Sequence, residues 1–90
     1  ASYVRDWEVC ALVRGYDAMR SLTECEQRNR FFEGEELEAL YPGGDPCVFR
    51  VGAIFDETGA RIPATTHAAM KFYLDIPKVL PPGAYLRHRT

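Results

Sequence analysis

The sequence predicts one small α+β domain over residues 1–90, in which an antiparallel sheet of three to five strands carries one long and one short helix on one face. In the second half, residues 47–90, apolar residues alternate as in a β-meander, and a proline-rich segment follows. One turn of this meander has Asp56 at its first and Gly59 at its fourth position, which is typical of a type I turn. The first half, residues 1–46, instead combines one strand with spacings typical of helices.

The chain opens with an alternating pattern. Apolar and polar side chains alternate from Tyr3 to Arg14, which predicts a strand over Trp7–Arg14 that ends at Gly15. A helix over residues 3–14 stays open as the alternative. Its apolar side would be formed by Val9, Leu12, Val13, Tyr16 and Met19.

Helical spacing follows this strand. Asp17 is placed to cap a helix over Ala18–Phe32, since a side-chain oxygen there accepts hydrogen bonds from free N–H groups of the first turn. Glu35–Tyr41 predicts a second, short helix, and the breaker cluster Pro42–Pro46 ends the helical half. The apolar residues on these two helices are Met19, Leu22, Cys25 and Phe32 on the first and Leu37, Leu40 and Tyr41 on the second.

The second half predicts a run of strands. Cys47–Phe55 has apolar residues on both faces and reads as a central strand. Ala60–Thr65 returns across the turn, and Pro63 confines it to an edge of the sheet. Met70–Ile76 has the clearest alternation of inward and outward residues. An extended connector, a short strand and a solvated tail complete the prediction, at Pro77–Gly83, Ala84–Leu86 and Arg87–Thr90.

Composition points to a soluble globular domain. Apolar residues make up 47% and charged residues 27% of the 90 residues. No apolar run approaches the ~20 residues that a membrane helix needs. The three cysteines form no CxxC pair, so we expect reduced thiols, a cytoplasmic location and no structural metal. The net charge of −2 is unevenly distributed, since residues 24–45 hold seven acidic residues against two arginines.

No catalytic or cofactor-binding signature is present. Pairing of Cys25 or Cys47 with His67 would require an exposed thiolate, yet both cysteines fall on apolar patterns. No cofactor is expected, and the sequence favours a non-enzymatic role without deciding it. Nucleic-acid binding is not expected either, because the aromatic residues Phe49, Phe55 and Phe72 fall on inward-facing positions and the acidic segment would repel phosphates.

These observations favour a small protein–protein interaction module, an adaptor or inhibitor, that docks through its acidic helical segment on a partner with a basic surface. The residues predicted to form this surface are Phe31, Glu33, Glu35, Glu36, Glu38 and Tyr41. One alternative is a homo-oligomeric assembly protein, in which one protomer's acidic helix meets another's basic sheet or the edge strand Ala60–Thr65 pairs across a two-fold axis. Another is a small-molecule-binding domain or small enzyme with a pocket near His67 and Tyr73.

Overall fold

In the computed structural model of the protein, which describes residues 6–89, every helix or strand assigned is a β-strand. The eight strands are β1 (Trp7–Asp17), β2 (Leu22–Gln27), β3 (Glu36–Leu40), β4 (Cys47–Arg50), β5 (Ile54–Asp56), β6 (Arg61–Ile62), β7 (Lys71–Leu74) and β8 (Tyr85–Arg89). They form one antiparallel sheet in the order β4-β3-β8-β1-β2-β7-β5-β6. The prediction of an α+β fold with two helices and three to five strands is therefore wrong.

The long helix predicted over Ala18–Phe32 is replaced by a hairpin turn and β2. Asp17 does accept N–H hydrogen bonds from Met19 and Arg20, at 3.0 and 3.2 Å, but within the turn that joins β1 to β2. Strand β2 alternates in its burial, and its inward side chains are Thr23, Cys25 and Gln27. Because two of these three core positions are polar, the period of two was hidden in the sequence.

The short helix predicted over Glu35–Tyr41 is strand β3. Leu37 and Ala39 point into the core and Glu36 and Glu38 point out, which is the alternation of a strand that is buried on one face. Glutamate, leucine and alanine all favour helices, yet pairing with β4 on one side and β8 on the other overrides this local preference.

The second half follows the prediction more closely. The turn closed by the Gly59 N–H and the Asp56 carbonyl joins β5 to β6, and β6 ends the sheet as expected for the segment before Pro63. The predicted strand over residues 47–55 is divided into β4 and β5, which lie at opposite sides of the sheet order. The tail predicted from Arg87 is wrong, since β8 runs to Arg89. The strand predicted at Trp7 is present as β1; Tyr3 and Thr90 lie outside the described residues.

The sheet curls so that the segment of residues 31–35 bridges its two ends. The backbone N–H of Glu33 donates to the carbonyl of Pro63, which follows β6. The backbone N–H of Gly34 donates to the carbonyl of Val51, which follows β4. Gly34 has a φ of 88°, and the Val51 N–H returns a bond to Glu35, which is the pattern of a glycine bulge. Phe31 is fully buried behind this bridge, with its ring edge-on to Phe72 at 5.4 Å.

The core is formed by the inward residues of all the longer strands. It includes Cys10, Val13, Leu37, Ile54, Leu74 and Leu86. Among residues 6–89 there is no helix that is long and apolar enough to cross a membrane.

Candidate functional site

The outward face of strands β1, β8, β3 and β4 carries an aromatic and charged surface. Register places Trp7 opposite Arg89, Arg87 opposite Glu38, and Glu38 opposite Val48. Directly opposed residues of antiparallel strands share a face, so these side chains all lie on the side of the sheet away from the core. No strand of the described chain packs over this surface, the outer face of the sheet.

Trp7 is held at one side of the outer face by two arginines of β8. The guanidinium carbon of Arg87 lies 3.8 Å from the centre of the indole ring, and that of Arg89 lies 4.9 Å away. Arg87 is itself fixed by Glu38 at 2.6 Å. Trp7 nevertheless remains 39% exposed, so a rigid, amphipathic aromatic side chain is available to a partner.

A groove of about 470 Å³ lies between Trp7 and the open end of the sheet at β4. Val48 forms its far wall and is 57% exposed, although it is apolar. Of the carboxylates in the groove, Glu36 alone has no ion pair with any of residues 6–89. Residues that line the groove include Trp7, Glu35, Glu36, Glu38, Val48 and His88.

Beside this groove, His88 is clamped between two carboxylates. Its Nδ1 lies 2.8 Å from Glu35 and its Nε2 lies 2.8 Å from Glu8, so both nitrogens can donate only when the ring is an imidazolium. Burial disfavours that charge, but the hydrogen bonds and the negative charges of both glutamates outweigh it, and the pKa of His88 is raised. Glu35 also accepts the Phe32 N–H at 2.8 Å, so the clamp ties β8 and β1 to the bridging segment.

A second groove, of about 650 Å³, lies over β2, β7 and the β5–β6 turn. His67, which the pocket hypothesis named, is among its lining residues. Tyr73 is not among its lining residues: it is nearly buried, and the Arg20 guanidinium covers its ring at 4.3 Å. The lining combines both signs of charge with an apolar floor, through Arg14, Glu24, Glu57, Ile62, His67 and Met70.

The residues predicted as an acidic docking surface are only partly brought together. Glu35, Glu36 and Glu38 line the first groove, whereas Glu33 lies elsewhere and binds Arg61 at 2.8 Å. Phe31 lies in the core, so it is not available as a surface anchor. Tyr41 packs against the core and accepts a hydrogen bond from Lys78.

Sequence reasoning missed Trp7, Val48 and His88. The alternation of β1 and β4 already assigns Trp7 and Val48 to a definite face, but not which face is left uncovered. His88 was assigned to a solvated tail, and its partner Glu8 is 80 residues away in sequence. No local pattern could have joined these two residues.

Two of the three thiols are too deeply buried to act as nucleophiles. Cys10 and Cys25 are buried, and burial is the main cause that raises both of their pKa values, that of Cys10 to about 12. Both therefore stay protonated at neutral pH. Within residues 6–89 no cluster of three or more histidine, cysteine or carboxylate residues could hold a metal ion.

Comparisons with known proteins assign the chain to a family. The sequence matches the Peptidase family U32 C-terminal domain over residues 5–87. Two similar crystal structures are of the C-terminal domain of a Geobacillus thermoleovorans protein classed as a U32 peptidase. The selenomethionine form is 28% identical, with a TM-score of 0.83 over 90% of this chain and 99% of that one. The other is 26% identical, with a TM-score of 0.81 over 92% of each chain. No match was found among curated proteins. The protein therefore belongs to the U32 peptidase C-terminal domain family.

Proposed function

We propose that this domain is a non-catalytic docking module that binds a polypeptide partner on its outer face. The observation that carries the proposal is the pair of exposed apolar side chains, Trp7 and Val48, on either side of one groove. Exposed aromatic residues that are held rigidly beside arginines are typical of the energetic centres of protein interfaces. Two of the three thiols are buried, and no cluster that could hold a metal ion is found within residues 6–89, so a binding role requires no chemistry beyond the groove.

Family membership supports the same role. The solved relatives are C-terminal domains, so each is part of a protein with further polypeptide beside it. A domain in that setting needs a surface for the rest of its protein or for a polypeptide on which that protein acts. The outer face fits this need because it combines apolar contact area with charges that can select one partner.

The partner should carry a basic residue beside its apolar ones. Glu35 and Glu38 are already neutralised by His88 and Arg87. Glu36 lies opposite Arg50 in the β3–β4 register but forms no ion pair within residues 6–89. A lysine or arginine of the partner would pair with Glu36 while an apolar side chain contacts Trp7. Three free cysteines, two of them buried, favour a cytoplasmic location for this interaction.

A peptide array with systematically varied apolar and basic positions tests this proposal. Trp7 is the only tryptophan of the chain, so its fluorescence reports binding at the groove directly. We expect peptides that carry both residue types to bind. The variants Trp7→Ala and Glu36→Lys should bind these peptides more weakly.

Two exposed residues outside the groove provide matched control variants. Phe32→Ala removes a ring and Glu57→Lys reverses a charge, and neither should change binding. Equal affinity of the protein and its Trp7→Ala and Glu36→Lys variants for every bound peptide would contradict the proposal.

A further inference from the structure

We infer that the polypeptide partner binds as an additional β-strand along the open edge of β4, antiparallel to it, with an acidic residue beside Arg50 and an apolar residue beside Val48. This inference rests on the proposed function and specifies how the partner is held. Strand β4 ends the sheet, and within the described chain it pairs only with β3.

The bulge at Gly34 fixes which backbone groups of β4 are free. Val51 both donates to Glu35 and accepts from Gly34, so its two backbone groups point toward β3. Backbone direction alternates along a strand, so Phe49 also points toward β3, and Val48 and Arg50 point away from it. Each of these two residues therefore offers one N–H and one C=O to a strand outside the sheet.

The side chains of the same two residues select the added strand. Val48 is exposed and apolar, so an apolar side chain opposite it would be buried against it. Arg50 lies opposite Glu36 in the β3–β4 register, but its guanidinium donates to the Gly34 carbonyl and forms no ion pair within residues 6–89. A carboxylate opposite Arg50 would complete its charge. In an antiparallel arrangement the acidic residue precedes the apolar one by two positions in the partner.

An acetylated and amidated peptide, Thr-Glu-Thr-Val-Thr, is the minimal probe of strand addition alone, without the basic residue for Glu36 and the apolar residue for Trp7 that the full partner would add. Its binding to ¹⁵N-labelled protein can be followed residue by residue by NMR. We expect the amide protons of Val48 and Arg50 to move downfield and to exchange more slowly with solvent, because both N–H groups gain a carbonyl partner.

N-methylation separates backbone pairing from side-chain contact. A methyl group on the valine nitrogen removes the N–H that would bond to Val48, and binding should fall about tenfold, which corresponds to about 1.4 kcal/mol. The same methyl group on the central threonine lies on the far side of the added strand and should leave affinity unchanged. A peptide with lysine in place of glutamate should bind more weakly to the protein. The Arg50→Glu variant should restore the affinity for this lysine peptide.

Two variants of the protein test the same backbone hydrogen bond by changing Val48 instead of the peptide. Val48→Pro removes an outward N–H without touching the β3–β4 hydrogen bonds, so it should abolish peptide binding. Val48→Thr keeps the N–H and the branched shape and should retain it. Thermal unfolding of both variants establishes that each is folded.

The failure of this inference differs from the failure of the proposed function. Shifts that map to Trp7 and Glu36 but spare Val48 and Arg50, or equal effects of both N-methyl groups, would overturn strand addition and leave the docking face intact. The absence of binding at millimolar peptide would overturn it as well. Concentration-dependent protection of the Val48 amide without peptide would identify a second copy of the chain as the occupant and overturn the choice of partner.

Discussion

Replacing His88 by glutamine should destabilise the protein, and most strongly at mildly acidic pH. The imidazolium is shared by two carboxylates, with Glu35 at 2.8 Å from one ring nitrogen and Glu8 at 2.8 Å from the other. Glutamine carries no charge and can donate to one of them only through a single amide group. The variant therefore loses at least one charged hydrogen bond and leaves two carboxylates close together without a cation.

The magnitude follows from these contacts. A hydrogen bond to a charged group contributes about 1.5–3 kcal/mol, so we expect a loss of about 2–3 kcal/mol from His88→Gln. For a domain of this size, about 4–8 °C of melting temperature corresponds to each kcal/mol, which gives a decrease of about 10–20 °C. The side chain of His88 is only 14% exposed but that of Glu8 is 39% exposed, so solvent screening of the Glu8 contact places the expected loss toward the lower end of this range.

The pH dependence has a definite sign. The pKa of His88 is raised in the folded protein, so the folded state holds this proton more tightly than the unfolded chain does. Its stabilisation is complete below the unfolded pKa of about 6.5 and is lost as the pH rises through the higher folded pKa. The difference in unfolding free energy between the protein and His88→Gln should therefore be largest near pH 5.5 and shrink toward pH 9.5.

Urea unfolding of both proteins at these two pH values measures the difference directly. His67→Gln is the matched control, because His67 is exposed and its ring contacts only the neighbouring Thr66 hydroxyl among the hydrogen bonds of the described chain. The control should show little destabilisation. A His88→Gln effect that is constant across this range, or that grows with pH, would refute the assignment of a shared imidazolium.

Three further predictions concern the fold. Phe31→Ala should lower the free energy of unfolding by about 3–5 kcal/mol because it empties a fully buried position. Phe32→Ala removes a ring that is 48% exposed and should lower it by under about 1 kcal/mol. Chemical denaturation measures both values. Gly34→Ala should destabilise the protein by about 1–2 kcal/mol because of its positive φ alone, since the added methyl group meets no atom within 4 Å. Gly52 has no positive φ, so Gly52→Ala should be nearly neutral in the same assay. A thiol reagent should label the native protein once and rapidly, at Cys47, and the two buried cysteines only after unfolding; Cys47→Ser should abolish the rapid phase.

The sequence predicted the strands whose core positions are apolar. β1 and β7 were found because Val13, Phe72 and Leu74 mark an inward face at a spacing of two. The turn at Gly59 was found for a local reason as well, since its residues favour one turn type. In these segments, local preference and tertiary packing agree.

The errors lie where local preference and packing disagree. Thr23 and Gln27 fill core positions of β2, and the Thr23 hydroxyl and the Gln27 carbonyl oxygen have no hydrogen-bond partner within the described chain. Such positions do not register as apolar, so the pattern of Met19, Leu22 and Cys25 was interpreted as a helix. In β3 the inward residues are apolar, but a run of glutamate, leucine and alanine is equally typical of a helix. Only the partner strands β4 and β8 decide between the two.

The candidate site was harder to predict than the fold because all of its contacts join distant parts of the chain. Arg87 reaches Trp7 and Glu38, and His88 reaches Glu8 and Glu35, so β8 connects the start of the chain to its middle. A terminal segment with alternating charge reads as a solvated tail when it is considered alone. Once β8 lies between β1 and β3, its residues Arg87 and His88 form ion pairs with the glutamates of the acidic segment. The surface that remains for a partner is then defined less by the glutamates than by the side chains that this pairing leaves exposed, Trp7 and Val48.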